Sequence, residues 1–217
     1  MKIILFGATG MVGSGVLREC LLDPDVEAVL SVGRQAPAVS HEKLRVLTRP
    51  DMFDDAVNPD DFGGYDACFF CLGVSSVGKD EAEYTHLTYD LTMKWAQVLA
   101  RANPAMRFLY VSGRGTGGDA MWSRVKGRTE NELLALFPEA VMIRLGALRP
   151  MHGERPRGAG ARALLTLLGP LWPLFHRLWS SGVITTEELG RAMIRVASTG
   201  SNKRVLESAD LVRLGRS

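Results

Sequence analysis

The chain has 217 residues, of which 46% are hydrophobic and 23% are charged, and its formal net charge is +2. This balance is typical of a globular domain with a full core, and it excludes the strong positive field of a nucleic-acid-binding protein. The basic excess lies in the C-terminal third, which is the part expected to meet an anionic substrate or surface.

The apolar run that begins the chain is too short for a signal peptide, because a glycine-rich turn follows it at Gly7. Three cysteines, Cys20, Cys68 and Cys71, do not suggest a disulfide framework. Cys68 and Cys71 spell C-x-x-C inside an apolar run that predicts a strand, where positions three apart face opposite sides. Without a second cysteine pair, no metal site is expected. These features favour a cytoplasmic location.

The first 22 residues carry the most informative pattern. Residues 2–6 predict a strand, and residues 14–22 predict a helix that ends at Asp23 and Pro24. A strand, a glycine-rich turn and a helix predict a dinucleotide site, because the glycines let the backbone approach a pyrophosphate and the helix N-terminus attracts its charge. A flexible turn is the alternative. The candidate cofactor-binding residues of the turn are Gly7, Thr9, Gly10, Met11, Val12 and Gly13.

The end of the next strand, predicted over residues 27–32, indicates which cofactor is bound. Dinucleotide folds hold the ribose 2′-OH of NAD with an acidic residue about 20 positions past the glycines, whereas an arginine accommodates the 2′-phosphate of NADP. Here the strand leads into Gly33 and Arg34, with no carboxylate. Arg34 therefore favours NADP over NAD, and an arginine in a surface loop is the other interpretation.

Strands and helices alternate as far as residue 145. The further strands are predicted at residues 44–47, 65–73, 107–112 and 140–145, and the helices at residues 81–102 and 122–137. The strand that ends at Gly73 is apolar on both faces, as a central parallel strand should be. The alternation predicts an α/β Rossmann fold, a doubly wound parallel sheet that binds ligands at the carboxyl ends of its strands.

The alternation stops after Leu145. Within a single domain of residues 1–217, we predict that residues 146–185 form a small substrate-side cap or a dimer interface, in a monomer or homodimer. The apolar stretch 161–179 is too short and too interrupted to span a bilayer, and weak contact with a membrane surface is its alternative role. A last helix is predicted over residues 186–197, without a full capping box.

Five motifs together resemble the atypical short-chain dehydrogenase/reductase superfamily. They are Gly7–Gly13 (GATGMVG), Val32-Gly33-Arg34, Cys71-Leu72-Gly73, Val111-Ser112-Gly113 and Lys126-Gly127-x-x-Glu130. The chain most resembles the Tat-interacting-protein-like oxidoreductases, and more loosely the bacterial nucleoside-diphosphate-sugar epimerases. The resemblance covers all but the last part of the chain, and it implies a Rossmann fold, NADP(H) and a small cap over the substrate.

The resemblance also implies further cofactor contacts. An acidic residue after the third strand commonly faces the adenine amino group, which makes Asp51 and its neighbour Met52 candidates. A solvated acidic loop explains Asp51 equally well. The ends of the fourth and sixth strands supply the remaining candidates, which are Cys71, Leu72, Gly73, Leu145, Gly146, Ala147 and Leu148.

The catalytic set of the superfamily is serine, tyrosine and lysine, with the tyrosine four residues before the lysine. Ser112 and Lys126 match this set, but Trp122 stands at the tyrosine position. An indole N–H donates a hydrogen bond and has no accessible acid–base titration. Tyr84 or Tyr110 could supply the missing proton, although each fits a packed core tyrosine better.

Two functions remain open at this point. The first is an NADP-dependent oxidoreductase or epimerase-like enzyme acting on a small carbonyl or hydroxyl substrate, which Ser112 and Lys126 favour. The second is a catalytically weakened NADP(H) sensor or scaffold, which Trp122 favours. Both bind a dinucleotide, and neither involves nucleic acid.

Overall fold

The computed structural model describes residues 1–154 and 183–216, and a parallel sheet forms its centre. The strands are β1 (Lys2–Phe6), β2 (Ala28–Gly33), β3 (Leu44–Thr48), β4 (Ala67–Phe70), β5 (Arg107–Gly113), β6 (Val141–Leu145), β7 (Ala147–Arg149), β8 (Val183–Thr185) and β9 (Val205–Glu207). Seven of them form one sheet in the order β3-β2-β1-β4-β5-β6-β9, and β7 pairs with β8 in a second, two-stranded sheet. The predicted parallel α/β fold is confirmed.

The order of the sheet reverses at β1, which pairs with β2 on one side and with β4 on the other. Chain connections therefore leave β1 and β4 in opposite directions, and a crevice opens at the carboxyl ends of these strands. Open α/β sheets bind their ligands at such a reversal point.

Helices cover both faces of the sheet. They are α1 (Met11–Leu22), α2 (Glu81–Thr85), α3 (Leu91–Ala102), α4 (Met121–Leu136), α5 (Thr186–Thr199) and α6 (Ser208–Arg216). Apolar residues of α1, α5 and α6 pack on one face, and those of α3 and α4 pack on the other. A π-helical turn, His86–Asp90, joins α2 to α3, so the helix predicted over residues 81–102 forms with an irregularity inside it.

The two core faces separate the C-x-x-C cysteines. Cys68 is buried in the cluster under α3 and α4, whereas Cys71 packs against the cluster under α1 and α5. The prediction that the two thiols face opposite sides is confirmed. Burial raises the pKa of Cys71 to about 12 and also raises that of Cys68, so both thiols stay protonated and unreactive.

Close packing between α1 and α5 fixes the position of α1. A Cβ on Gly15 would lie 2.5 Å from the Cβ of Thr186, and a Cβ on Gly190 would lie 2.6 Å from that of Glu19. The buried Glu19 carboxylate accepts hydrogen bonds from Arg18 at 2.5 Å and from Arg191 at 3.0 Å. The helix that follows the glycine turn is therefore fixed in position by its packing against α5.

The C-terminal part is more regular than expected. Helix α5 begins with a full capping box, in which Thr185 and Glu188 each bond the other's backbone N–H, so the expectation of an incomplete box is wrong. The predicted cap over residues 146–185 lies mostly outside the described residues, as does all of the apolar stretch 161–179. In residues 1–154 and 183–216, no helix has the length and apolar character to cross a bilayer.

Candidate functional site

The glycine turn between β1 and α1 has almost no room for side chains at two of its three glycines. Gly7 has φ of +84°, and a Cβ there would lie 2.7 Å from the carbonyl oxygen of Cys71. A Cβ on Gly13 would lie 2.1 Å from the carbonyl oxygen of Gly7. Gly10 differs, because its nearest contact would be an ordinary 3.4 Å. Gly7 and Gly13 are therefore required by the fold itself, and Gly10 is not.

The N-terminus of α1 is free to receive an anion. Gly10 is its N-cap residue and offers no side-chain cap, and the first turn contains no acidic residue. The first N–H groups of a helix have no partner within the helix and carry a partial positive charge. Because β1 ends at Phe6 and the turn follows at once, these groups lie at the carboxyl end of the sheet.

A cavity of about 750 Å³ lies at this end of the sheet. The candidate residues that line it are Gly7, Thr9, Arg34, Asp51, Met52, Leu72 and Gly73. The structure thus brings together candidates from the ends of β1, β2, β3 and β4. Lining residues that sequence reasoning missed include Gln35, Phe53, Lys79, Leu87 and Leu91.

Other candidates lie outside this lining. Gly10, Met11, Val12 and Gly13 form the turn and the start of α1, and Cys71 contacts that turn through its backbone. The three catalytic candidates lie at the end of β5 and on α4, and the candidates Leu145, Gly146, Ala147 and Leu148 lie at and after the end of β6. Both groups therefore belong to the half of the sheet formed by β5 and β6.

Arg34 is the cation on the β2 side of the cavity. Its side chain is exposed, and in residues 1–154 and 183–216 no carboxylate forms an ion pair with it. By contrast, Arg49 pairs with Asp54 at 2.9 Å. Arg34 is therefore available to an anion that enters the cavity.

The β3 side of the cavity mixes polar and apolar groups. The Asp51 carboxylate accepts a hydrogen bond from the N–H of Phe53 at 2.8 Å, which fixes the loop. The Phe53 ring stacks on His86, with centroids 4.2 Å apart and the planes 7° from parallel. Met52 is buried, and its carbonyl accepts a hydrogen bond from the indole of Trp95 at 3.1 Å. This wall suits a flat heterocycle.

The Ser112 hydroxyl is engaged inside the protein. It donates to the Glu130 carboxylate at 2.6 Å, and both residues are buried. Arg144 donates to the same carboxylate through Nε at 3.2 Å and through Nη2 at 2.6 Å. The Lys-Gly-x-x-Glu motif thus places a buried carboxylate against the serine, and this link was not foreseen.

Trp122 and Lys126 lie one turn apart on α4, as the sequence predicts. The Trp122 ring packs on the end of β5 and the loop after it, where a Cβ on Gly113 would lie 3.6 Å from Cζ3 and a Cβ on Gly115 would lie 3.8 Å from Cη2. The ammonium of Lys126 lies 5.3 Å from the centroid of the Tyr110 ring, and in the part of the chain that the structure describes it has no hydrogen-bond partner. Burial lowers the pKa of Lys126 to about 8, although the Glu130 carboxylate opposes the shift.

The two alternative tyrosines are core residues. Tyr84 is 1% exposed and Tyr110 is 0% exposed, and burial raises the pKa of both. Neither hydroxyl opens to solvent, which favours packing over proton transfer for each of them.

Hydrogen bonds to its backbone fix the segment at the end of β6. The carbonyl of Leu145 accepts a hydrogen bond from the N–H of Arg114 at 2.7 Å, and the N–H of Gly146 donates to Ser208 at 2.8 Å. Leu145 and Leu148 are buried, whereas Gly146 and Ala147 are exposed. Two of the four candidates are thus accessible at the carboxyl end of β6.

Lys126→Met is expected to stabilise the protein at pH 7. Below pH 8 the lysine is charged in both states, so the folded state carries the full penalty of burying it. Between pH 8 and its ordinary pKa of 10.5 only the unfolded chain binds the proton, so the stability of the wild type rises with pH. Thermal melting should show a Tm gain of at least about 2 °C for the variant at pH 7, shrinking by pH 9.5. If the Tm of the two proteins changed with pH in the same way, the lowered pKa of Lys126 would be contradicted.

The glycine turn, the helix behind it and the cavity at the reversal point define a Rossmann-type α/β fold. Similar solved structures confirm this fold class. The UDP-glucose 4-epimerase of Thermotoga maritima has a TM-score of 0.72 at 13% identity, covering 100% of this chain and 82% of that one. The UDP-glucuronic acid 4-epimerase of Bacillus cereus, in complex with NAD, has a TM-score of 0.69 at 13% identity, covering 95% and 78%.

Sequence relatives extend over the whole chain but are distant. Protein FMP52, mitochondrial, of Chaetomium globosum is 27% identical over 235 residues, covering 98% of this chain and 96% of that protein. The Candida albicans protein of the same name is 24% identical over 234 residues, covering 100% and 99%. No family model matches the chain. The finer resemblance, to Tat-interacting-protein-like oxidoreductases, stays a prediction.

The names of these relatives correct one expectation. They are named mitochondrial proteins, which contradicts the cytoplasmic location inferred from the N-terminal run and the cysteines.

Proposed function

We propose that the protein binds NADP(H) in the cavity at the ends of β1 to β4 and acts as an oxidoreductase or epimerase-like enzyme on a small carbonyl or hydroxyl substrate. The observation that carries the proposal is the glycine turn, in which Gly7 and Gly13 leave no room for a Cβ while Gly10 stands uncapped at the start of α1. A turn whose backbone carries no side chains at these positions, followed by a helix N-terminus without a side-chain cap, suits a pyrophosphate.

The other end of the cavity supports the choice of a dinucleotide. Arg34 has no carboxylate partner in residues 1–154 and 183–216, and the Phe53 and Met52 wall suits an adenine ring. Solved structures of similar fold are complexes with NAD, one of them with UDP-glucose as well, which is consistent with this use of the fold.

The chemistry depends on α4 and the end of β5. When bound, the cofactor supplies or accepts a hydride, and the protein must hold the substrate and move a proton. Of the three catalytic candidates, Lys126 is the one that can exchange a proton near neutral pH, since burial lowers its pKa to about 8. Trp122 packs one turn away and donates a hydrogen bond without titrating. Ser112 helps to position the site through Glu130 and Arg144.

A catalytically weakened NADP(H) sensor or scaffold is the second candidate. The observation that favours it is the engaged Ser112 hydroxyl, which points to Glu130 rather than to an open cleft. The burial of Tyr84 and Tyr110 supports the same conclusion, because it removes the two replacements for the missing tyrosine. Substrate turnover separates the two candidates.

Arg34→Ala is expected to lower NADPH affinity and leave NADH affinity unchanged. A hydrogen bond between an arginine and a phosphate contributes about 1.5–3 kcal/mol, which is roughly ten- to a hundredfold in affinity. Calorimetric titration of both cofactors into both proteins is the measurement. Equal affinities for NADPH and NADH in the wild type would overturn the preference for NADP.

A further inference from the structure

Lys79 is the second cation that lines the cavity, and no motif drew attention to it. It lies near the end of the loop after β4, two residues before α2 begins at Glu81. Its N–H donates to the carbonyl of Ser76 at 3.2 Å, and the next residue, Asp80, caps α2 by accepting a hydrogen bond from the N–H of Glu83 at 2.8 Å. The backbone of Lys79 is therefore fixed from both sides.

The ammonium of Lys79 is held by an exchangeable partner. It forms an ion pair with Glu83 one helical turn later, and the side chain of Glu83 is 49% exposed. Such surface pairs are weak, with an effect of about twofold on an equilibrium. A phosphate that entered the cavity would therefore compete well with Glu83 for this lysine.

The sheet order separates Lys79 from Arg34. Arg34 follows β2 and Lys79 follows β4, while the glycine turn follows β1, which lies between those two strands. Neighbouring strands are about 4.8 Å apart, so the ends of β2 and β4 are roughly 10 Å apart. The two cations thus follow strands on opposite sides of β1, and the glycine turn follows β1 itself.

We propose that Lys79 binds the pyrophosphate of the dinucleotide from the loop after β4, exchanging Glu83 for it. The inference rests on the proposed dinucleotide binding. It divides the recognition of the cofactor between two cations: Arg34 holds the 2′-phosphate, and Lys79 holds the pyrophosphate opposite the start of α1. Lys79 thus acts on NAD and NADP alike, whereas Arg34 discriminates between them.

Calorimetric titration of NADPH, NADH and ADP-ribose tests the division. All three ligands contain a pyrophosphate, and only NADPH carries the 2′-phosphate. Lys79→Met should weaken all three by a similar factor of about tenfold. Lys203→Met is the matched control, because Lys203 also pairs with an acidic residue, Asp210, far from the cavity. It should leave all three affinities unchanged.

Glu83→Gln provides a test with the opposite sign. It removes the competitor for Lys79 and keeps the shape of the side chain, so ADP-ribose should bind about twofold more tightly. Unchanged ADP-ribose affinity in a folded Lys79→Met variant would overturn the inference and leave the proposed function standing. A loss confined to NADPH would also overturn it. If the wild type bound none of the three ligands, the proposed function would fail first.

Discussion

Gly10→Val is expected to abolish NADPH binding and leave the protein folded. The nearest atom to a Cβ on Gly10 would be the carbonyl oxygen of Gly7 at 3.4 Å, so the turn itself tolerates a side chain. The new methyl groups would instead stand before the free N–H groups of α1. Loss of two charge-assisted hydrogen bonds, at about 1.5–3 kcal/mol each, corresponds to an affinity loss of more than about a hundredfold.

The same turn offers a contrasting variant. A Cβ on Gly13 would lie 2.1 Å from a backbone oxygen, so Gly13→Ala is expected to destabilise the fold as well as to remove binding. Valine at the N-cap position of α1 costs only about 1 kcal/mol. Thermal melting and NADPH calorimetry of both variants make the comparison. Retained binding in folded Gly10→Val protein would exclude the turn from the cofactor site.

Trp122→Tyr is expected to raise the turnover of NADPH with aldehydes and ketones. Loss of a general acid–base group typically lowers a rate by about 10²–10⁴-fold, so the wild type should be a slow reductase that still binds NADPH. Tyrosine at this position restores a titrating hydroxyl one turn from Lys126, whose ammonium favours the ionised phenol. We expect turnover to rise at least about tenfold, which would recover part of the rate lost with the missing general acid–base group.

Trp122→Phe is the matched control, since it alters the packing on the loop after β5 without adding a hydroxyl. NADPH oxidation across an aldehyde and ketone panel is measured for all three proteins. Brisk turnover in the wild type that survives in Trp122→Phe would show that another residue carries the proton. No gain in Trp122→Tyr would favour the sensor.

The first half of the fold could be predicted because its signals are local. The strand, turn and helix of residues 2–22 follow from apolar spacing and glycine chemistry that neighbouring residues impose on each other. Arg34 was assigned by its distance from that turn and Asp51 by the family pattern after the third strand, and the structure places both at the cavity. Parallel sheets bring the carboxyl ends of their strands to one edge, so candidates placed at strand ends are expected at the same side of the sheet.

What sequence reasoning missed depends on contacts between distant residues. Lys79 belongs to no motif, and only the strand order places its loop beside the glycine turn. The bond from Ser112 to Glu130 spans 18 residues and requires α4 to lie against β5. Helix α5 was predicted from its correct first residue, Thr186, but the capping box was sought at Thr186 itself, and the true N-cap, Thr185, was overlooked.

The last strand of the sheet was also not predicted. β9 has three residues and pairs with β6 across a long separation in the chain. A run this short has no periodicity to detect, and it forms because the edge of β6 offers hydrogen bonds. Tertiary context, rather than local propensity, decides such elements.

Hydrogen–deuterium exchange with and without saturating NADPH tests directly whether the dinucleotide binds in this cavity. We expect protection in the segments that border the cavity, which are residues 7–13, 31–35, 51–53 and 72–79. Protection in none of these segments, or only at the opposite edge of the sheet, would contradict dinucleotide binding in this cavity.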